Sequence, residues 1–161
     1  MQKSLRRGLE EDAMYWALEL EEKYFNYLWK RLVIISHEDV GIVSIDVILF
    51  VETCRAQYDW LRSQKNDRHR LLVLGNAVLA ICRAAKTRIG DDFLYIALKT
   101  PHALDKKPIP DYALDAHTLR GKMLGRGWEK EGNEFWFSES SKVNNEVEGF
   151  NTYLPERRKR I

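Results

Sequence analysis

The chain has 161 residues, with 26 lysines and arginines against 24 aspartates and glutamates and a formal net charge of +2 at pH 7. This length predicts about one domain with its own core, and charge balanced over both halves argues against wrapping of nucleic acid by the whole surface. Cys54 and Cys82 lie in apolar runs without a disulfide or paired-cysteine metal pattern, which favours a reducing, cytoplasmic setting. Without a signal-type start or a bilayer-length apolar run, we expect a soluble protein with no membrane partner.

Apolar residues at helical spacing predict the first helix. They form one stripe of an amphipathic helix: Leu9, Ala13, Trp16, Ala17, Leu20 and Tyr24. The acidic residues 10–12 fall in its first turn, where they complement the helix dipole. A second helix is predicted through "YLWKRLVIISHED", ending near Gly41 in a left-handed conformation.

Three further helices are predicted in the middle of the chain. Ser44 is expected to cap the first of them. Its buried face is predicted to comprise Val47, Phe50, Val51, Cys54, Tyr58 and Leu61. After a loop at "RSQKNDRHR", the apolar stretch "LLVLGNAVLAICRAAKTR" predicts a central helix shielded by the others. Gly90 and Asp91 then precede a helix at "DFLYIALKTPHAL".

The pattern weakens after Pro108. The prolines of "KPIPDYAL" predict an extended or turning segment, and a short helix is expected from Ala116 to Leu124. The apolar run in "GNEFWFSESSKV" fits a strand or a packed loop, and the tail "YLPERRKRI" should fray. We therefore predict an all-α domain of five or six helices over residues 1–128, followed by an irregular extension over residues 129–161.

The stretch "DAHTLRGKMLGRG" has the glycines and cations of a phosphate site, but it fails the P-loop pattern. Met123 follows Gly121 and Lys122 where a P-loop needs a hydroxyl residue, and Ala116 stands where it needs its leading glycine. On a helix, Thr118, Lys122 and Arg126 would share one face and contact a phosphate backbone. A solvated helix that ends in a glycine cap explains the same residues, and both alternatives stay open.

No catalytic residue, metal site or cofactor is predicted. The metal-ligand types in "HED", residues 37–39, are consecutive, so on a helix they point about 100° apart and do not face one ion. Because no serine or cysteine nucleophile is paired with a base, we do not expect an enzyme; a hydrolase that depends on His117 is the alternative.

Aromatic residues crowd the first two predicted helices beyond what one helix pair can bury. Aromatic side chains on an exposed face are typical of interfaces. The candidates for a subunit interface, or else for the core, are Tyr15, Trp16, Phe25 and Trp29.

Several stretches taken together resemble one family. They are "KSLRRG" (3–8), "DAMYWALEL" (12–20), "KRLVIISHEDVG" (30–41), "AVLAICRAAKTR" (77–88) and "YIAL" (95–98). In order and spacing, over roughly the first 125 residues, they resemble the C-terminal region of the replication-associated recombination protein A family. These are the MgsA/RarA-type AAA+ ATPases related to the Werner helicase interacting protein.

The resemblance implies a helical domain like the collar of clamp loaders, which assembles as a homotetramer and acts at stalled replication forks in recombination and repair. For Glu38 and Asp39, at the end of the second predicted helix, the resemblance implies a structural role, in which a carboxylate pairs with Arg31 or caps the following turn. The chain has no Walker A, Walker B or sensor arginine, so ATP hydrolysis is not implied. The divergent end, "HTLRGKMLGRGWEKEGNEFWF", favours a free-standing relative of the domain over a piece of a longer ATPase.

The expected function is therefore oligomerisation and association with DNA in replication fork maintenance, without catalysis. The candidates for DNA contact are Lys3, Arg6, Arg7, Lys86, Arg88, His117, Thr118, Lys122 and Arg126. The alternative is a protein-interaction module that recruits a replication ATPase or a single-strand-binding protein without touching DNA.

Overall fold

The computed structural model of the protein describes residues 1–99 and 108–145, without the side chains of residues 130–132. By its contacts the chain divides into two compact units, Met1–Pro101 (unit 1) and His102–Ile161 (unit 2), whereas the sequence analysis placed a boundary after residue 128. The all-α prediction is confirmed, because every regular element in the described ranges is helical and none is a strand.

Helix α1 (Gln2–Arg7) ends at Gly8, where two features of the structure favour glycine. Gly8 has φ 70° and ψ 24°, the left-handed conformation that lets its N–H reach the carbonyl of Leu5 at 3.2 Å. A Cβ at this position would also lie 3.2 Å from the carbonyl oxygen of Cys82. The turn and the close approach to another helix therefore both favour glycine.

Helix α2 (Glu10–Ile35) covers the region of the first two predicted helices. Its first turn is acidic, as predicted. Tyr24, at φ −132° and ψ 36°, is not helical and marks a kink at which two helices join. No glycine or proline interrupts the chain before Ile35, so the second helix follows the first without a loop. The two predicted helices are therefore present, joined by a kink at Tyr24.

A compact reversal follows α2. The chain passes through a π-helical segment (Ser36–Val40) and a 3-10 segment (Gly41–Ser44) into helix α3 (Ile45–Ser63). Helical hydrogen bonding thus spans 54 residues. Within this span the chain reverses direction at Gly41, which has φ 62° and ψ −156°. This conformation is open almost only to glycine and is not the left-handed helical one that the sequence predicted. A Cβ there would also lie 3.2 Å from Thr87.

Helix α3 begins where predicted, but not for the predicted reason. Ser44 makes no capping hydrogen bond to the helix; its hydroxyl donates to the carbonyl of Ala85 at 3.3 Å. Of the predicted face, Val51, Cys54 and Tyr58 are buried, together with Ile48. Phe50, also predicted to face the core, is exposed.

Helix α4 (Asp67–Arg83) begins inside the predicted loop, so the connection from α3 is only the segment 64–66. Arginine is a good helix former, so Arg62 fits the last turn of α3, and Arg68 and Arg70 fit the first turns of α4. Lys65, at φ 55°, lies in the short connection between the two helices. The buried side of α4 comprises Leu74, Ala77, Val78, Ile81 and Cys82. Leu72 is 60% exposed, so the helix is not shielded on all sides as predicted.

A buried polar group joins the three long helices of unit 1. Tyr58 of α3 donates a hydrogen bond to the carboxylate of Glu21 on α2, and Arg70 of α4 forms an ion pair with the same carboxylate. Arg70 also donates to the Tyr58 hydroxyl at 3.0 Å. Burial raises the pKa of Tyr58, which keeps the phenol neutral and able to donate.

Helix α5 (Ile89–Lys99) starts before Gly90, which the sequence analysis took as punctuation. The rest of this predicted helix, residues 100–104, lies outside the described residues. In unit 2 the structure contains a 3-10 turn (Asp111–Ala113), α6 (Leu119–Met123), α7 (Lys130–Phe135) and a π-helical segment (Trp136–Ser140). The strand alternative for "GNEFWFSESSKV" was therefore wrong, and the predicted tail lies outside the described residues.

Candidate interaction surfaces

Helix α5 is mostly apolar, apart from Asp91, Asp92 and Lys99, and buries none of its residues. Among its large apolar side chains, Phe93, Leu94, Tyr95 and Leu98 are each more than half exposed. Exposed apolar side chains that lie close together are typical of interaction sites. The exposed side chains of α5 are therefore a candidate interaction surface of unit 1.

A cleft continues this surface onto the reversal that follows α2. It has a volume of about 670 Å³, and Ile42 and Leu94 form part of its lining together with Ile48. Arg31 and Glu38 add polar groups to the same lining. We call the exposed apolar side chains of α5, together with Ile42, the α5 face.

Charged contacts hold α5 to the rest of unit 1. Arg88, which precedes the helix, pairs with Asp91 in its first turn and lies 3.7 Å from Asp39 and 3.8 Å from Glu38. The hydrogen bond to Asp91 raises the pKa of the Arg88 guanidinium. The backbone N–H of Thr87 donates to the carbonyl of Asp39 at 3.0 Å. Because α5 buries no side chain, these polar contacts are a large part of its attachment.

Asp39 connects this cluster to the N-terminal helix. Arg6 of α1 donates to its Oδ1 at 2.8 Å, while the other oxygen, Oδ2, is buried and accepts no hydrogen bond within the described residues. Arg31, the partner that the sequence analysis expected for these carboxylates, donates instead to Gln2 at 2.6 Å, and Gln2 reaches Glu38 at 3.5 Å. Asp39 therefore joins α1, the reversal and α5.

The four aromatic interface candidates occupy different positions. Tyr15 and Trp16 are exposed and touch edge to face, with ring centroids 5.1 Å apart. Phe25 is half-buried beneath the guanidinium of Arg62, whose Cζ is 3.3 Å from the ring centroid. Trp29 is only 1% exposed, so it belongs to the core, the second of its two proposed roles. An interface role stays a prediction for Tyr15, Trp16 and Phe25.

Several of the cations predicted to contact DNA in unit 1 already bind other groups. Arg6 and Arg88 are held by carboxylates, as described above. Lys86 donates to the carbonyls of Cys82 and Ala84 at 2.8 and 3.1 Å, which satisfies oxygens at the end of α4. These three cations are therefore already engaged within unit 1.

Three cations of this predicted set in unit 1 are exposed: Lys3, Arg7 and Arg88. Arg88 is held by carboxylates, whereas Lys3 and Arg7 form no ion pair within the described residues. Arg7 donates one hydrogen bond to the backbone carbonyl of Lys3 at 3.0 Å, one turn earlier on the same helix. A phosphate contact at these two positions stays a prediction.

In unit 2 the stretch "DAHTLRGKMLGRG" forms a short helix capped at both ends. The hydroxyl of Thr118 accepts from the N–H of Gly121 at 2.9 Å and caps α6. Beyond α6, Gly125 has φ 77°, and the Arg126 N–H reaches the Gly121 carbonyl at 3.0 Å in a Schellman arrangement. Thr118 precedes the helix and Arg126 follows it, so the predicted helical face with Lys122 does not form.

His117 is held by its neighbour Asp115. Its Nδ1 lies 2.8 Å from one carboxylate oxygen of Asp115, and its backbone N–H donates to the other at 3.0 Å. These hydrogen bonds lower the pKa of Asp115. The imidazole edge also packs on Trp128, at a centroid distance of 4.7 Å. His117 therefore has a local structural role in the capped segment.

Arg126 folds back across the segment that precedes it. Its guanidinium donates to both carboxylate oxygens of Asp111 at 2.9 Å and to the carbonyls of Asp111 and Leu114 at 3.1 and 3.0 Å. It also stacks on Phe135, with 3.8 Å between Cζ and the ring centroid. The geometry is that of a structural clamp, whereas Lys122 is exposed on α6.

We expect Arg126→Gln to destabilise the 111–126 segment by about 1–3 kcal/mol, because charge-assisted hydrogen bonds and carbonyl partners are lost together. Faster amide hydrogen exchange in this segment would measure the effect. Lys122→Gln, an exposed cation four residues earlier, is the matched control and should leave exchange unchanged. Equal exchange in both variants would contradict the clamp.

The two cysteines and the possible metal ligands are the candidate reactive groups among the described residues. Cys54 and Cys82 are free and buried, and burial raises the pKa of both thiols, which disfavours the nucleophilic thiolate. Within residues 1–99 and 108–145 there is no cluster of three or more histidine, cysteine or acidic side chains arranged for a metal ion. In the same ranges no helix has the length and apolar character needed to cross a membrane.

The comparisons with protein families, with curated proteins and with solved structures find no match for this chain.

Proposed function

We propose that this chain is a non-catalytic helical assembly domain that self-associates through the α5 face and serves replication fork maintenance, recombination and repair. The observation that carries the assembly role is α5, an apolar helix without a buried residue. An apolar face is complementary to itself, so a second copy can cover it without further charge matching. The resemblance to MgsA/RarA-type C-terminal domains supplies the replication context and the expected homotetramer.

The contacts between the family-like motifs support this proposal. Arg6 comes from "KSLRRG", Asp39 from "KRLVIISHEDVG" and Arg88 from "AVLAICRAAKTR", and the three meet in one ionic cluster. The glycines of the first two motifs, Gly8 and Gly41, both pack against the third. Motifs far apart in sequence thus form a common junction beside α5, as expected if they specify one collar-like domain.

Association with DNA would depend on the candidate cations that remain exposed. The exposed cations Lys3, Arg7 and Lys122 would contact phosphate, which gives affinity without base specificity. Most other candidates are engaged within their own unit. The engagement of most candidate cations within their own unit favours the alternative function. In that alternative the chain is a protein-interaction module that recruits a replication ATPase or a single-strand-binding protein without touching DNA.

Light scattering of the whole chain, alone and with single-stranded or forked DNA at low and moderate salt, tests the proposal. We expect an assembly of about four times the 19.0 kDa chain. Phe93→Glu combined with Leu98→Glu should weaken assembly by roughly 100-fold or more, because two charges would be buried in an apolar interface. A mass increase on DNA that disappears in Lys3→Glu/Arg7→Glu would support DNA contact.

Leu119→Glu, at an exposed apolar position in unit 2, is the control and should assemble like the natural chain. A natural chain that stays monomeric would refute self-association. An assembly unaffected by the α5 changes would refute the surface. Assembly without any DNA-dependent change in mass would leave the protein-interaction alternative as the better description.

A further inference from the structure

We propose that the groove between the first turns of α2 and helix α4 binds an amphipathic helix of a partner protein, with lysines or arginines at the end that lies beside the start of α2. This site is separate from the α5 face in its lining residues. Its occupant is inferred from the shape and charge of the groove.

The groove has a volume of about 440 Å³ and an apolar floor. Met14 of α2 lies on one side, and Leu71, Leu72 and Leu79 of α4 lie on the other. The α4 lining consists of residues 71–72, 75–76 and 78–79, which recur about once per turn. They therefore form a ridge along one side of a trough between two helices. A trough with these two walls is suited to a third helix that inserts one apolar stripe.

Gly75 has no side chain to fill the floor of the groove, but a glycine at this position lowers the stability of helix α4. Glycine in a helix interior is less favourable than alanine because it loses more backbone freedom on folding. A Cβ at Gly75 would meet only Met14 Cε, at 3.8 Å, which is ordinary contact. Its φ is not in the left-handed region, so neither the backbone nor the packing of this chain requires glycine. A close approach by a group from outside the chain would explain it.

The charge of the lining selects the kind of helix. Glu10 and Glu11 stand at one end, the amide of Asn76 is the other polar group, and the lining contains no cation. Glu10 is neutralised by Arg83, which donates to its two oxygens at 2.8 and 3.0 Å. Glu11 is exposed and has no recorded ion pair within the described residues. A cationic end on the occupant would complement Glu11, whereas an acidic end would be repelled.

The test uses two fluorescein-labelled peptides of about four helical turns. Both carry leucines on one stripe; one has lysines at one end, and its twin has glutamates there. Fluorescence anisotropy at low salt should show the lysine peptide binding about tenfold or more tightly than its twin, with the difference shrinking as salt is added. Glu11→Lys should reverse this preference.

The Gly75→Ala variant tests peptide binding in the groove independently of the stability of the fold. The variant should melt at the same temperature as the natural chain or higher, yet bind the lysine peptide about tenfold more weakly, because one methyl group in an apolar site has this order of effect. Gly90→Ala, also helical and with open space around the added Cβ, is the matched control and should bind normally.

Three outcomes would overturn the proposal. The first is that the two peptides bind alike or that neither binds, and the second is that Gly75→Ala keeps full affinity. The third is a lower solution mass for Gly75→Ala, since the groove would then be occupied by a second copy of this chain. Because the α5 changes are not expected to affect peptide binding, failure of the groove and failure of self-association are distinguishable.

Discussion

Arg70→Met is expected to lower the free energy of unfolding of unit 1 by about 3 kcal/mol. Arg70 holds the carboxylate of Glu21 and also donates to Tyr58, and all three groups lie between helices α2, α3 and α4. Removing the guanidinium leaves a buried carboxylate with only the phenol as a donor. Loss of one partner from a buried ion pair costs about 3–5 kcal/mol, and the 17% exposure of the Arg70 side chain favours the lower end.

Urea denaturation followed by far-UV circular dichroism at pH 7 measures this effect. Arg68→Met changes an exposed arginine two residues earlier on α4 and should cost less than about 0.5 kcal/mol. Glu21→Gln combined with Arg70→Met should recover part of the loss, because no charge then remains unpaired. If Arg70→Met and Arg68→Met have the same stability, the buried group does not stabilise unit 1.

Gly121→Ala is expected to disrupt the capped helix of unit 2. An added Cβ would lie 2.0 Å from the carbonyl oxygen of Asp115 and 2.7 Å from the carbonyl carbons of Asp115 and Leu114. These atoms belong to the backbone and are fixed by the Thr118 cap, so they cannot rotate away as a side chain does. We expect a local loss of about 3 kcal/mol or more, the range of severe steric strain.

Hydrogen exchange of the amides in residues 114–126 should then become roughly 100-fold faster, in keeping with that free-energy change. Gly127→Ala is the matched control, because nothing lies within 4 Å of its added Cβ. Its exchange should match that of the natural chain. Native protection in Gly121→Ala would show that residues 114–121 are not packed this closely.

Much of unit 1 was predictable because periodic apolar residues and helix ends carry strong local signals. The buried Val51, Cys54 and Tyr58 of α3 follow directly from their spacing. The position of Ser44 gave the start of this helix even though its hydroxyl binds elsewhere. Gly8 and Gly41 both have positive φ, and the second was anticipated as the end of a helix, though not in its actual conformation.

Boundaries inside polar stretches were less predictable. The stretch from Arg62 to Arg70 was predicted as a loop, yet only residues 64–66 separate α3 from α4. Whether such a stretch ends a helix depends on the packing of its neighbours, which a single sequence does not specify. The strand alternative in unit 2 failed for a different reason, because a short apolar run fits either period.

The candidate surfaces required the structure. An apolar segment such as "DFLYIALK" predicts burial, and only the fold places Phe93 and Leu98 at the surface. From the sequence alone, any lysine or arginine is a candidate for phosphate contact. The spacing of residues does not show which of these cations are paired with a carboxylate or a carbonyl in the folded chain. Arg88 and Arg126 therefore entered the predicted DNA set, although carboxylates hold them both.

The position of Trp29 has an optical consequence. Its ring lies in the core beside Tyr58, and its indole N–H has no hydrogen-bond partner in the described part of the chain. An indole in such apolar surroundings emits at short wavelength and is shielded from dissolved quenchers, whereas Trp16 and Trp60 on the same unit are open to solvent. Opening of the core would move the Trp29 emission to the red, so unit 1 contains its own fluorescent reporter.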